Sequence, residues 1–155
     1  MRVLFDTNVL MDVLLRREPF AEESAQVLEQ VVNGAVTGLI CASTVTTVFY
    51  LSSKEAGKKE AMQQVRSLLA LYEVAAVTRS VLDASLTSKA PDFEDAVLAE
   101  AALQAGAQAI ITRNLKDFAH SPVRAYTPRQ GWPWVPLDRC PARPQLTSEH
   151  YYIHS

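Results

Sequence analysis

The stretch that decides the fold is MRVLFDTNVLMDVLL, residues 1–15, where an apolar run, an acidic residue and a helical pattern follow one another. Residues 2–5 form a short apolar run that predicts a buried strand. Residues 7–15 carry apolar side chains at helical spacing. In α/β proteins, ligands bind beyond the carboxyl ends of the strands. Asp6, which stands between the strand and the helix, is therefore a candidate functional residue.

The same alternation of strand-like and helical patterns continues to about residue 126. Further strands are predicted over residues 39–42, 73–77, 109–112 and 123–126, and further helices over residues 20–32, 43–53, 59–71, 81–88 and 93–105. Ser43 is a suitable N-cap for its helix, and Gly34 is a suitable end for the helix before it. Strands that alternate with helices predict an α/β fold with a mostly parallel central sheet.

The last part of the chain has a different composition. Both tryptophans and six of the eight prolines follow residue 119, and residues 131–155 show no apolar periodicity. We therefore predict one domain over residues 1–130 and an irregular tail over residues 131–155.

Composition limits the class of protein. With 48% apolar and 21% charged residues, the chain is expected to be globular rather than disordered. No apolar run approaches the ~20 residues that span a bilayer, and an acid interrupts the apolar N-terminus. We expect a cytoplasmic protein with no membrane association. The formal net charge of −2 provides no basic surface for nucleic acid.

Three short acidic segments stand at predicted strand ends or helix starts. They are DTN at residues 6–8, DFED at residues 92–95 and TRNLKDF at residues 112–118. Since parallel strands end at one edge of a sheet, we expect these segments to converge there. Neighbouring carboxylates raise one another's pKa, and a bound Mg²⁺ or Mn²⁺ removes that cost. Such an ion also activates water for hydrolysis.

Each acidic residue also has a purely structural interpretation. Asp6 could cap the helix that follows it, and Asp92 with Asp95 could form a capping box. Asp117 could be an ordinary turn residue. Asp12 falls on the predicted exposed side of its helix, where it is expected to be solvated.

The motifs DTNVLMD, DFEDAV and TRNLKDF, in this order, resemble those of a PIN domain over about residues 1–130. The resemblance implies a three-layer α/β/α sandwich and Mg²⁺- or Mn²⁺-dependent endoribonuclease activity, as in the VapC-type toxins of bacterial toxin–antitoxin pairs. It also implies an RNA substrate and an antitoxin protein as partners. The implied catalytic and metal-binding residues are Asp6, Asp95 and Asp117, with Asp92 as an additional carboxylate. The implied supporting or substrate-contacting residues are Thr7, Asn8, Thr47, Thr112, Arg113 and Asn114.

Within that set, Thr7 and Asn8 are expected to hold Asp6 by hydrogen bonds. Arg113 could contact phosphate or could be a solvated surface charge. Thr47 departs from the family pattern, which commonly has a glutamate there. A neutral side chain at this position is expected to weaken metal binding unless Asp92 compensates.

Other functions and assemblies stay open at this point. The neutral Thr47 is also compatible with a PIN-like RNA- or protein-binding module of weakened activity. A phosphotransfer domain with an aspartate after its first strand fits less well, because Asn8 stands where one such class needs a second aspartate. The apolar helices of residues 20–71 leave a homodimer open. The simpler interpretation of their stripe is core packing, and its residues are Val48, Leu51, Met62, Val65 and Leu69.

Overall fold

A computed structural model describes residues 1–130 of the chain, so the predicted tail of residues 131–155 lies outside the described residues. The described strands are β1 (Arg2–Phe5), β2 (Thr37–Cys41), β3 (Glu73–Ala75), β4 (Ala109–Ile111) and β5 (Ala125–Tyr126). The described helices are α1 (Thr7–Leu14), α2 (Ala21–Val32), α3 (Ala42–Ala56), α4 (Lys58–Leu71), α5 (Arg79–Leu86) and α6 (Phe93–Gln104). Most boundaries fall within a few residues of the predicted ones.

The five strands form one parallel sheet in the order β3-β2-β1-β4-β5. The chain builds outward from β1 to β3 and then crosses back to place β4 on the other side of β1. The strand order therefore reverses between β1 and β4. In open parallel sheets, ligands bind in the crevice at such a reversal, outside the carboxyl ends of the strands.

Two apolar cores cover the two faces of the sheet, which confirms the predicted three-layer α/β/α sandwich. Side chains alternate along β1, so that Val3 and Phe5 lie in one core and Leu4 lies in the other. The first core also contains residues of α1, α2, α3 and α4. The second contains residues of α5 and α6. Cys41 is buried in this second core, as its apolar neighbours predict.

The start of α3 differs from the prediction. Ser43 lies inside the helix rather than at its cap, because the chain passes from β2 to α3 without an intervening loop. Cys41 occupies the N-cap position with an extended backbone and makes no side-chain capping hydrogen bond. The Ser43 hydroxyl lies 3.2 Å from the Cys41 sulfur.

The predicted core stripe of α3 and α4 divides into two groups. Val48 is fully buried, but Met62 and Leu69 on α4 are 48% and 49% exposed. The core-packing prediction is therefore wrong for these two side chains, which lie on the outer face of α4. Among the described residues, no helix is long and apolar enough to cross a membrane.

Candidate active site at the carboxyl edge of the sheet

The reversal point between β1 and β4 brings Asp6 and Thr112 together. Asp6 follows β1, and its backbone amide donates a 2.9 Å hydrogen bond to the carbonyl of Ile111 at the end of β4. The Thr112 hydroxyl donates a 2.8 Å hydrogen bond to Oδ2 of Asp6. Both side chains are buried, with Asp6 only 6% exposed. The parallel pairing of β1 with β4 thus holds Asp6 in two ways, through its backbone amide and through its carboxylate.

Asp6 is not simply a helix cap. It occupies the N-cap position of α1, but it makes no side-chain capping hydrogen bond, and its carboxylate is held by Thr112 instead. Burial raises the pKa of Asp6, while the hydrogen bond from Thr112 opposes that rise. The helix-cap interpretation therefore does not explain this residue.

Asp95 lies in the first turn of α6, opposite Asp6. Its helix begins because Asp92 caps it, with Oδ1 of Asp92 accepting hydrogen bonds from the amides of Glu94 at 2.7 Å and Asp95 at 3.4 Å. Burial and then the charges of Asp6, Asp117, Asp92 and Glu94 raise the pKa of Asp95 to about 6. The three acidic segments therefore lie near enough to interact electrostatically.

Asp92 and Glu94 have different relations to this cluster. The capping interpretation of Asp92 is correct, and the structure gives its carboxylate a role in starting α6. Glu94 stands within the DFED segment, but nothing in its local pattern distinguishes it from an ordinary residue of the first helical turn. It is exposed, and its charge raises the pKa of both Asp6 and Asp95.

Asp117 is positioned by a series of turns that begins at Thr112. The Thr112 hydroxyl accepts a 3.0 Å hydrogen bond from the amide of Asn114. The carbonyl of Asn114 in turn accepts a 3.1 Å hydrogen bond from the amide of Asp117. Phe118, which is 4% exposed, anchors the end of this segment in the second core. The Thr112 hydroxyl thus connects the buried Asp6 with the loop that carries Asp117.

The side chains of Thr7 and Thr47 make hydrogen bonds elsewhere, and within residues 1–130 that of Asn8 makes none. The Thr7 and Thr44 hydroxyls lie 3.0 Å apart, and the side chain of Asn8 makes no hydrogen bond among the described residues. Thr7 acts on Asp6 through its backbone, whose hydrogen bond lowers the pKa of the carboxyl, and the side-chain contact to Asp6 comes from Thr112. Thr47 is half-buried and donates a 3.2 Å hydrogen bond to the carbonyl of Ser43 one turn earlier.

Asp12 contradicts the prediction of a solvated side chain, because it is fully buried. α2 and the loop after β4 cover the face of α1 on which Asp12 lies. Oδ2 of Asp12 accepts a 3.2 Å hydrogen bond from the Ser24 hydroxyl and lies 2.9 Å from Nε of Arg113. Burial raises the pKa of Asp12, and the Arg113 charge opposes that rise.

Arg113 is also not a freely solvated charge. Its side chain is 27% exposed, and its guanidinium carbon lies 4.1 Å from the centre of the Phe20 ring. Beside it, a shallow cleft of about 190 Å³ opens at the edge of the sheet. The cleft is lined by Phe20, Glu23, Ser24, Arg113, Thr127, Pro128 and Arg129.

Asp6, Asp95 and Asp117 lie at the carboxyl edge of the sheet, which we call the acidic edge. The side chains there are suitable ligands for a hard divalent cation. Their donor atoms are carboxylate oxygens, which Mg²⁺ and Mn²⁺ prefer. Within residues 1–130, no three His, Cys, Asp or Glu side chains are grouped closely enough to hold one ion together. Mg²⁺ usually binds to one or two carboxylates and keeps several waters. The residues present fit that kind of partly hydrated site rather than a complete protein cage.

Comparison with known proteins identifies the family. The sequence matches the PIN domain family over residues 2–116. The chain therefore belongs to the PIN domain family, as the order of its three acidic motifs predicts. No curated protein matches the sequence significantly.

Several solved structures share the fold. VapBC2 from Rickettsia felis, bound to a DNA fragment from its promoter, aligns with a TM-score of 0.65 at 18% identity and covers 82% of this chain and 98% of its own. A toxin–antitoxin complex from Klebsiella pneumoniae aligns with a TM-score of 0.63 at 26% identity, covering 81% and 97%. VapC20 of Mycobacterium tuberculosis, a toxin that cleaves the sarcin–ricin loop, aligns with a TM-score of 0.57 at 10% identity, covering 70% and 86%.

Proposed function

We propose that this protein is a divalent-metal-dependent endoribonuclease that hydrolyses RNA phosphodiesters, and that it is the toxin of a bacterial toxin–antitoxin pair. The observation that supports the proposal is the electrostatic environment of Asp95 beside the strand reversal, where burial and the charges of Asp6 and Asp117 raise its pKa to about 6. Carboxylates that repel one another in this way favour the binding of a cation. Membership of the PIN domain family supports the same conclusion.

In this proposal the acidic residues have different roles. Asp6 and Asp95 would hold Mg²⁺ or Mn²⁺, and Thr112 keeps the Asp6 carboxylate in place. The bound ion would supply a polarised water and stabilise negative charge on the phosphate. Asp117, which lies in the loop after β4, would orient the attacking water. Without a cation, the acidic edge repels the phosphates of RNA, so RNA binding is expected to be weak in the presence of a chelator.

The experiment is cleavage of a mixed RNA pool by the full chain in Mn²⁺, with and without a chelator. Wild type and Asp6→Asn are compared with Asp83→Asn, which changes an exposed carboxylate on α5 that pairs with Arg79. We expect Asp6→Asn to lose at least ~100-fold in rate and Asp83→Asn to retain wild-type activity. Equal cleavage by wild type and Asp6→Asn would contradict the proposal.

A second candidate function is a PIN-like RNA- or protein-binding module of weakened activity. It is favoured by the neutral Thr47, whose hydroxyl bonds to its own helix, and by the absence of a three-acid metal group within residues 1–130. Calorimetric titration with Mn²⁺ distinguishes the two functions. Binding of RNA or a protein without a Mn²⁺ site tighter than ~1 mM would favour the binding module.

The toxin proposal carries two proposals on partners. The aligned complexes from Rickettsia felis and Klebsiella pneumoniae contain a toxin with its antitoxin, which supports an antitoxin partner here. Co-purification of a small protein from the native host tests this partner.

The exposed Met62 and Leu69 on α4 provide apolar surface for a homodimer. Light scattering of wild type and Leu69→Glu tests the homodimer, which the variant is expected to weaken.

A further inference from the structure

Asp12 is a buried charge whose hydrogen bonding is incomplete. Its Oδ1 atom is buried and has no hydrogen-bond partner within residues 1–130. Nε of Arg113 lies 2.9 Å from Oδ2, but its N–H is not aligned for a hydrogen bond. The contact is therefore an ion pair, supported by the Ser24 hydroxyl at 3.2 Å.

Such a pair is a poor way to stabilise a fold. Asp12 loses its hydration completely and Arg113 loses most of its own, and apolar residues of similar volume often stabilise a protein as well or better. A buried acid with one unsatisfied oxygen therefore needs an explanation other than stability. The position of its partner provides one.

Arg113 belongs to the segment that organises the acidic edge. It stands between Thr112, whose hydroxyl bonds to Asp6, and Asn114, whose amide bonds to that same hydroxyl. Asp12 holds the Arg113 guanidinium from the α1 side, while the Phe20 ring covers it at 4.1 Å. α1 and the residues leading into α2 thereby fix a loop that follows β4.

We propose that Asp12 is a positioning residue: through Arg113, its carboxylate fixes the Thr112–Asp117 segment and with it the hydrogen bond between Thr112 and Asp6. Asp12 lies behind Arg113 and is fully buried, so it touches neither metal nor substrate in this role. The consequence for cleavage rests on the proposed nuclease function, whereas the consequence for the loop does not.

Backbone hydrogen exchange tests the loop directly. In Asp12→Asn, the amides of Asn114 and Asp117 are expected to exchange about tenfold faster than in wild type, because local opening of the segment is easier. The matched control is Val31→Ala, which removes buried volume at the other end of α2, near the start of β2. It lowers the melting temperature but is expected to leave both amides unchanged. Equal exchange of the two amides in Asp12→Asn and wild type would overturn the proposal.

Two further measurements use the same variants. Asp12→Asn is expected to bind Mn²⁺ about tenfold more weakly and to have a lower kcat, while its KM for RNA stays the same. Val31→Ala is expected to keep the wild-type Mn²⁺ affinity and kcat. An unchanged Mn²⁺ affinity and kcat in Asp12→Asn would also overturn the proposal. If wild type cleaves no RNA, the nuclease function fails, and the exchange measurement still decides the positioning role.

A milder variant covers the case in which Asp12→Asn does not fold. Ser24→Ala removes the supporting hydroxyl and leaves the ion pair in place. Its Asn114 amide is expected to exchange about threefold faster than in wild type. No acceleration in Ser24→Ala, together with an unfolded Asp12→Asn, would assign this cluster to stability alone and overturn the proposal.

Discussion

The Thr112 hydroxyl donates a 2.8 Å hydrogen bond to the carboxylate of Asp6, and the two residues are 106 positions apart in sequence. The bond forms because β1 and β4 are parallel neighbours that end at the same edge of the sheet. It joins Asp6, which is more buried than Asp95 or Asp117, to the loop that carries Asp117. Strand pairing alone thus brings the first and last acidic motifs together.

Loss of this hydroxyl should destabilise the folded protein. Thr112→Val keeps the shape of the side chain but removes the side-chain donor to the buried Asp6 carboxylate, which should cost about 2 kcal/mol in the free energy of unfolding. Urea denaturation at pH 7 measures the loss. Thr112→Ser retains the hydroxyl and should lose less than half as much. An unchanged free energy of unfolding in Thr112→Val would mean that the hydrogen bond does not stabilise the fold.

The raised pKa of Asp95 predicts a pH-dependent penalty on stability. Its pKa is about 6 in the folded protein, against an ordinary value of 3.8, so the folded state binds the extra proton between these values. The penalty is absent below pH 4, develops as the pH rises, and is complete above pH 6. Because Asp95 is partly exposed, screening should reduce it to roughly 1 kcal/mol.

Asp95→Asn tests that penalty. In a chelator, the variant should melt a few degrees above wild type at pH 7.5 and together with it at pH 3.5. Added Mn²⁺ should raise the melting temperature of wild type but not that of the variant. Asp83→Asn, on the exposed side of α5, serves as the charge-matched control and should melt at the wild-type temperature both in a chelator and with added Mn²⁺. A variant that is less stable than wild type at pH 7.5 would contradict this electrostatic account.

A close backbone approach predicts the effect of a change in β2. A Cβ atom added at Gly38 would lie 2.6 Å from the Tyr72 ring and 2.8 Å from the Val31 side chain. Gly38→Ala should therefore cost about 1–3 kcal/mol in the free energy of unfolding. Introducing it into a Tyr72→Leu background should cost less, since the ring is then absent. An equal cost in both backgrounds, measured by urea denaturation, would exclude the ring as the cause.

Local patterns in the sequence predict most of the fold. The apolar runs before Asp6 and Thr112 and the helical spacing between them were sufficient to predict a parallel α/β sheet. The same logic predicted that the acidic segments meet at one edge. These predictions succeed because strand burial and helix periodicity depend on neighbouring residues.

Contacts between distant segments could not be predicted in this way. Asp12 was expected in solvent, because the spacing of apolar residues on a short helix does not reveal that a second helix and a loop cover its polar side as well. The pairing of Asp12 with Arg113 requires knowledge of which strand lies beside β1. For the same reason, the hydroxyl that donates to the Asp6 carboxylate is that of Thr112 rather than that of the adjacent Thr7.

The neutral Thr47 gives the last prediction. PIN domains commonly have a glutamate at the position that Thr47 matches. In this protein the Thr47 hydroxyl instead donates a hydrogen bond to the carbonyl of Ser43. Thr47→Glu should strengthen Mn²⁺ binding about tenfold and, in a chelator, lower the melting temperature through repulsion from the existing acids.

Thr46→Glu is a matched control for this change, because the neighbouring Thr46 donates a 2.8 Å hydrogen bond to the same Ser43 carbonyl but is exposed. Both variants lose that hydrogen bond and gain one negative charge on the same turn of α3. Any difference between their Mn²⁺ affinities, measured by calorimetric titration, should therefore come from the position of the new carboxylate. If the two variants bind Mn²⁺ equally, Thr47 does not face the metal-binding residues, and the neutral side chain there cannot be the cause of any weakness in metal binding.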